Sequence, residues 1–339
     1  MEIQSIKREL GRDWEGYRNT IIAALNGESQ LLQQINLYLL DTQGKELRPL
    51  LSLLAARLCT ATLNKSCYSA AAVSELLHTA SLLHDDVADN GNMRHGVATV
   101  KALFNPAAAV LSGDYWLSKA MHLLAAECKK EVLIEYAHTV SRLAEGELFQ
   151  MEKAAALDTT IEDYYRIIKD KTSVLFIAAM KGGALSAEGT EAEIEAIAQY
   201  ALQLGYAFQI RDDIFDYSPQ MKTGKAAGAD IKERKLTLPL LMAFQNATPQ
   251  DVEEITTQIA RIDYNLAGNT PASEEYKTVE EIVTARTLNF VAEHNGVALA
   301  QKALEQHIEL AMQSLKDFPD SYAKRTLLEI AQFVGTRSK

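Results

Sequence analysis

Proline and cysteine are both scarce in this chain, at seven and three among 339 residues. Few prolines mean few forced interruptions, and with abundant Ala, Leu, Glu and Gln the chain favours helix. The three cysteines, Cys59, Cys67 and Cys128, lack paired spacing, which argues against a disulfide frame and points to a reducing compartment. No apolar run reaches transmembrane length, and the start Met1-Glu2-Ile3-Gln4 does not read as a signal peptide, so a cytoplasmic protein is expected. Positive charge is also short: 34 Lys and Arg face 45 Asp and Glu, a net charge of −11. That balance argues against general affinity for nucleic acid, and any phosphate site must be a local basic cluster in an acidic protein. Period-2 alternation is almost missing, and no Gly/Ser linker divides the chain.

What remains is helical periodicity with a large apolar supply, 47% of residues. Val73, Leu76, Leu77, Ala80, Leu83 and Val87 mark one helical stripe. The stretch from Val110-Leu111 to Leu124 is apolar most of the way round and is expected to be central. Thr248-Pro249 reads as a cap followed by proline at the first helical position, and Asn295-Gly296 as a break between two C-terminal helices. Loops are expected at Asn90 to Thr99, Tyr217 to Thr237 and Tyr264 to Lys277. A single all-α domain over residues 1–339, with ten or more helices, is the consistent reading.

One pattern occurs twice: Asp85-Asp86-Val87-Ala88-Asp89 and Asp212-Asp213-Ile214-Phe215-Asp216. Each sets carboxylates at i, i+1 and i+4, so the outer two share a helix face. A lone set of this kind is usually a solvated face. These two are threaded with Leu82, Leu83, Ile210, Ile214 and Phe215, where unpaired ionised carboxylates are expensive. A hard divalent cation removes the repulsion, and Mg²⁺ completes its shell from water and phosphate oxygens. The pair therefore suggests two helices facing each other across a metal–phosphate site.

Basic residues answer the acids. Gly44-Lys45-Glu46-Leu47-Arg48-Pro49 puts two cations on a turn entering a helix. Met93-Arg94-His95-Gly96 follows the first acidic set, and Lys169-Asp170-Lys171-Thr172 sits between helical stretches. Gly224-Lys225 through Asp230, and Lys235-Leu236-Thr237, follow the second set, with glycines able to let a loop close over phosphates. His78 lies seven residues before Asp85 and so shares its face. Each of these is ordinary alone: a snorkelling helix start, a basic loop, a satisfied histidine.

In order along the chain, Gly44-Lys45-x-x-Arg48-Pro49, Glu75 to Asp86, Leu111-Ser112-Gly113-Asp114-Tyr115, Glu145-Gly146-Glu147 and Phe208 to Asp213 resemble the motifs of the trans-polyprenyl diphosphate synthases. The resemblance runs from about Leu40 to the C-terminus. It implies an isoprenoid-synthase-type helical bundle around a central cavity, and head-to-tail condensation of isopentenyl diphosphate onto an allylic diphosphate. By that resemblance Asp85, Asp89, Asp212 and Asp216 would hold up to three Mg²⁺ ions, with Asp86 and Asp213 supporting. Arg94, Lys171, Thr172, Gln209, Lys225 and Lys235 would contact the allylic diphosphate. Lys45, Arg48, His78 and, in place of a usual arginine, His95 would serve isopentenyl diphosphate. Arg234 stands where the family has glycine and could replace the missing cation. A homodimer is expected from the family, and peripheral membrane contact for product release stays open.

Product length would depend on Ala80 and Ser81, on the helix that carries the first acidic set. Bulky aromatics there act as a floor in the family. Both residues are small here, which implies a long all-trans product of about C30 to C45, octaprenyl being the best single length, suited to a quinone side chain. The alternatives are a farnesyl or geranylgeranyl diphosphate synthase, a class I terpene cyclase, and an inactive regulatory subunit. A cyclase would not need the Gly44–Pro49 motif, and an inactive subunit would not be expected to keep all six aspartates.

Overall fold

A computed structural model of the chain describes residues 3–42, 44–94, 96–218, 227–262 and 274–336, the side chains of 274–277 apart. In chain order the helices are α1 (Ile3–Leu10), α2 (Arg12–Ala24), α3 (Gln30–Asp41), α4 (Leu47–Cys59), α5 (Lys65–Ala88), α6 (Val100–Leu103), α7 (Pro106–Glu127), α8 (Lys130–Ala156) and α9 (Ile161–Ile168). They continue with α10 (Val174–Ser186), α11 (Glu191–Asp216), α12 (Ala229–Lys232), α13 (Leu238–Asn246), α14 (Pro249–Ala260), α15 (Glu274–Glu293), α16 (Gly296–Ser314) and α17 (Tyr322–Thr336). The expected all-α class holds. Among the described residues the exception is a small antiparallel hairpin, β1 (Met93–Arg94) and β2 (Val97–Ala98), inside the expected loop after the first acidic set. No described helix is long and apolar enough to cross a membrane.

The chain divides into two compact units. The first comprises Met1–Ser141, Leu175–Ala201 and Ser314–Ile330, and the second Arg142–Val174, Leu202–Gln313 and Ala331–Lys339. In the first, α5 is the axis, packed by α7, α4 and α2. Asn64 starts it, its side chain accepting from the Cys67 N–H at 3.0 Å. Ala70, Ala71, Ala72, Val73, Leu76 and Leu77 are buried on it. Each large apolar side chain so buried contributes about 1.5–3 kcal/mol before chain entropy is subtracted. That burial lets the helix carry charge at its far end.

Asn105 caps α7, with Pro106 at the first helical position. Trp116 is fully buried and donates its Nε1–H to Asn36 Oδ1 at 2.9 Å, while Asn36 donates to the Leu25 carbonyl at 2.9 Å. The expectation that this helix is central is met on the side packed against α5, but its apolar circumference is not all covered: Val110, Leu111 and Met121 are 38%, 67% and 59% exposed. An apolar pattern reports residue type, and this chain alone does not cover that face.

In the second unit α9 opens with a reciprocal cap. Thr160 Oγ1 accepts from the Asp163 N–H at 3.1 Å, and Asp163 Oδ2 accepts from the Thr160 N–H at 3.0 Å. Lys169-Asp170-Lys171-Thr172, expected between helical stretches, does lie between α9 and α10, in a π-helical turn over Lys169–Ser173. Thr248 caps α14 as expected, and Asn295, at φ 56°, separates α15 from α16. α15 begins at Glu274, inside the loop expected at Tyr264 to Lys277; residues 264–273 of that loop, and 219–226 of the one after the second acidic set, lie outside the described residues.

In the first unit, backbones touch where α10 crosses α4. A Cβ added at Gly183 would stand 2.1 Å from the Ser52 carbonyl oxygen, and a backbone cannot swing aside as a side-chain tip can. Gly183→Ala is therefore expected to destabilise the fold by about 3 kcal/mol, read as a lower midpoint in urea or thermal unfolding.

Candidate functional site

Each unit carries one acidic set. On α5, Asp85 is half-buried, Asp86 buried and Asp89 exposed. Asp86 is neutralised locally: Arg94 Nε and Nη2 both donate to its Oδ1 at 2.9 Å. Arg94 reaches back because the β1–β2 hairpin returns the chain, with Thr99 Oγ1 donating to the Gly91 carbonyl at 2.9 Å. Arg94, expected on a substrate phosphate, thus has its charge held by the first acidic set. His95 lies outside the described residues. On the same helix Ala80 is buried, and Ser81 returns its hydroxyl to the His78 carbonyl at 2.9 Å. His78 is half-buried.

The first unit also holds the basic turn. Lys45 is exposed. Arg48 lies under the helix start, over the Phe176 ring at 4.9 Å, and its buried Nε has no hydrogen-bond acceptor among the described residues. Burial lowers its pKa to about 10, and nearby Glu75 opposes the change. Glu75, 5% exposed on α5, is pushed up to about 7 by burial and by repulsion from Glu46, against the pull of Arg48, Lys7 and Arg18.

The second unit gathers more of the expected residues. Lys171, Thr172, Gln209 and Lys235 line one cavity of about 120 Å³ with Asp213, Asp230, Gln150 and Tyr164. The π turn presents the first two. It is squeezed by glycines on either side: a Cβ at Gly146 would come 2.7 Å from Asp170 Cβ, and one at Gly205 would come 2.5 Å from Ser173 Oγ. Buried Asp170 accepts from Arg142 Nε at 3.1 Å, which ties the turn to α8. Lys171 donates to Glu147 and Gln150, both at 2.8 Å. Thr172 Oγ1 donates to Gln209 Oε1 at 2.8 Å, and Gln209 Nε2 to Asp213 Oδ1 at 2.8 Å.

The three aspartates of the second set are not equivalent. Asp213 is buried and takes a second hydrogen bond, from Tyr164 Oη at 2.6 Å. Burial pushes it up to about 7, those bonds pull it down, and Asp212 and Asp216 push it up again. Asp216 closes the loop: its two oxygens accept from the Ala229 and Asp230 N–H groups at 2.9 and 3.0 Å. Asp230 is a fourth carboxylate in this cluster, raised well above the ordinary aspartate by burial and by Asp213 and Asp216. Sequence reasoning gave no role to Asp230 or Glu147, although both lie in segments it singled out, and it passed over Tyr164, which carries no periodic or motif signal for a cavity. Lys235 pairs with Glu233, and although burial opposes it, Glu233 and Asp230 hold its pKa above the usual lysine. Arg234, the candidate replacement cation, is tied to the backbone of this unit. Its Nη1 and Nη2 donate to the Ile262 and Ala155 carbonyls at 3.2 and 3.0 Å, and at φ 58° it keeps the left-handed backbone a glycine would take. Lys225 lies outside the described residues.

The Polyprenyl synthetase model matches residues 29–279. This chain belongs to the polyprenyl synthetase family. It is 37% identical over 340 residues to octaprenyl diphosphate synthase of Escherichia coli (strain K12), covering 100% of both chains. Among solved structures it is similar to a decaprenyl diphosphate synthase from Rhodobacter capsulatus, with TM-score 0.87, 28% identity and 100% of both chains covered. It is similar also to a polyprenyl synthase from Caulobacter crescentus CB15 complexed with calcium and isoprenyl diphosphate, with TM-score 0.85, 30% identity, and coverage of 100% of this chain and 98% of that one. The synthetase is a prenyltransferase with an all-α fold.

In the synthetase the buried Glu75 makes a pH test available. Its folded pKa of about 7 exceeds the unfolded one, so the folded state binds the extra proton between those values. The Glu75 contribution is fully present below about pH 4 and is lost as pH rises through about 7. Glu75→Gln should therefore gain unfolding temperature relative to the parent at pH 8 compared with pH 5, both pH values being chosen to lie about a unit or more outside or inside that window.

Proposed function

We propose that this polyprenyl synthetase condenses isopentenyl diphosphate head-to-tail onto an allylic diphosphate and makes a long all-trans product, about C30 to C45 with octaprenyl the best single length, for a quinone side chain. The observation that carries the reading is the second-unit cavity, where Lys171, Thr172, Gln209 and Lys235 converge beside carboxylates. Such a cluster in a protein of net charge −11 is suited to a diphosphate bridged to its acids by cations. The octaprenyl and decaprenyl names of the similar proteins support the long product. We read residues 1–339 as one synthase domain.

In this reading Lys171, Thr172, Gln209, Lys225 and Lys235, with Arg94, orient the allylic diphosphate and take up negative charge as it leaves. Lys45, Arg48, His78 and His95 hold isopentenyl diphosphate, and the buried Arg48 Nε, with no acceptor among the described residues, favours this role. The double bond of isopentenyl diphosphate attacks the allylic carbon, the carbon–oxygen bond to diphosphate breaks, and loss of a proton leaves a chain one isoprene unit longer. The Tyr217–Thr237 segment would shield the reaction from water, with Asp216 as its anchor.

The donor set fits a hard divalent metal. The carboxylates are oxygen donors that repel one another, as Asp212 and Asp216 do Asp213, and a hard cation relieves that repulsion. Asp85, Asp89, Asp212 and Asp216 would hold up to three Mg²⁺ ions, and a calcium complex of a similar synthase supports divalent binding. Bound Mg²⁺ would supply charge neutralisation for the departing diphosphate. The exposed apolar face of α7, with Val110, Leu111 and Met121, supports a homodimer. The reading includes a cytoplasmic enzyme with peripheral membrane contact for product release.

Asp85→Ala and Asp212→Ala should each lower kcat by about 100-fold or more without unfolding the protein, measured with radiolabelled isopentenyl diphosphate and an allylic primer in Mg²⁺. Near-parental turnover by both folded variants would sink the metal assignment. Product length has its own test. Ala80 is buried, so a ring placed there has no room to turn outward. Ala80→Tyr should shorten the product to about C15 to C20 while condensation continues, read by chain-length chromatography. Full-length product from that variant, or a parental product ending at about C20, would refute the open floor.

A further inference from the structure

Glu46 sits between the two cations of the basic turn, and its carboxylate faces the N-terminal helices. Its Oε2 pairs with Lys7 Nζ at 2.6 Å, and its Oε1 accepts from Tyr17 Oη at 2.9 Å and Arg18 Nη1 at 3.1 Å. Lys7 and Glu46 side chains are both only 8% exposed, so water competes little with these bonds. Lys7 also stands over the Trp14 ring at 4.5 Å. The three partners come from α1 and α2, which precede the stretch matched by the family model, residues 29–279.

The backbone shows what the clamp holds. Glu46 is left-handed, at φ 51° and ψ 46°, immediately before α4. A non-glycine residue loses about 1–2 kcal/mol there, so the conformation persists only where its side chain is held. That turn sets the direction in which the chain enters α4, leaving Lys45 exposed and Arg48 Nε buried with no acceptor among the described residues. Among the described residues nothing lies within 4 Å of a Cβ built at Gly44, so the contacts that hold the turn come from the Glu46 side.

We infer that Glu46 is a positioning residue for isopentenyl diphosphate, and that α1 and α2, through Lys7, Tyr17 and Arg18, fix the turn that presents Lys45 and Arg48. This rests on the assignment of Lys45 and Arg48 to that substrate. Glu46 touches no reacting atom; it acts through the geometry of its neighbours.

The experiment compares kcat, both substrate KM values and the unfolding temperature for the parent, Glu46→Gly, Glu46→Gln, Tyr17→Phe and Lys45→Ala. Glycine takes the left-handed backbone without strain, so Glu46→Gly relieves strain while it frees the turn. The expected result is a KM for isopentenyl diphosphate about 10-fold higher in Glu46→Gly and Glu46→Gln, and about 3-fold higher in Tyr17→Phe, with kcat and the allylic KM changed less than about 2-fold. Both KM values rising together would indicate general loosening and overturn the positioning role. An unchanged KM for isopentenyl diphosphate in both folded Glu46 variants would overturn it as well. Lys45→Ala separates the two layers: if it raises that KM and the Glu46 variants do not, the positioning role alone is wrong; if neither does, the substrate assignment of the turn is wrong too.

Discussion

Carboxylates set into apolar helices must find countercharge or hydrogen-bond donors, and the polar contacts around both acidic sets are arranged by that need. Asp86 has Arg94, Asp213 has Tyr164 and Gln209, Asp216 has two backbone N–H groups, and Asp170 has Arg142. The same accounting fixes the cations. Lys171 lies on Glu147 and Lys235 on Glu233, so each of these cations already has an anionic partner. Asp213 and Asp230 are raised by burial and by the carboxylates beside them, in spite of those donors.

Departures from regular helix cluster at the same places. Lys171 and Thr172 ride on a π turn, Glu46 and Arg234 adopt left-handed backbone, and a tight glycine contact flanks each side of the π turn. Such conformations persist only where surroundings over-determine them. Arg142 holding Asp170, the N-terminal helices holding Glu46, and the carbonyls of Ala155 and Ile262 holding Arg234 are those surroundings. Rigid helices bring the side chains near, and the irregular turns aim them.

The helix α7 shows why an apolar pattern is ambiguous. Trp116 and Ala120 are buried within the chain, yet Leu111 and Met121 on the same helix are open. Hydrophobicity measures what a residue avoids, and water can be excluded by another chain as well as by this one. The Arg234 position is ambiguous in the same way: its charge suggests a phosphate partner, while two of its guanidinium nitrogens donate to the backbone carbonyls of Ile262 and Ala155.

Much was already legible in residue order. The all-α class followed from helical spacing and scarce proline, and the caps at Thr248 and Asn295 from local backbone chemistry, because those signals act over a few residues. The two acidic sets declared themselves because close like charge in apolar helix has few structural uses. Partner choice was not legible. That Arg94 would meet Asp86, that Tyr164 and Asp230 would join the second set, and that residues 7, 17 and 18 would grip Glu46 depend on side chains brought together over separations from eight to 49 residues. Local sequence determines which face of a helix is acidic; only tertiary packing decides which donor reaches it, because burial and distance, not spacing along the chain, set the energy of a charge.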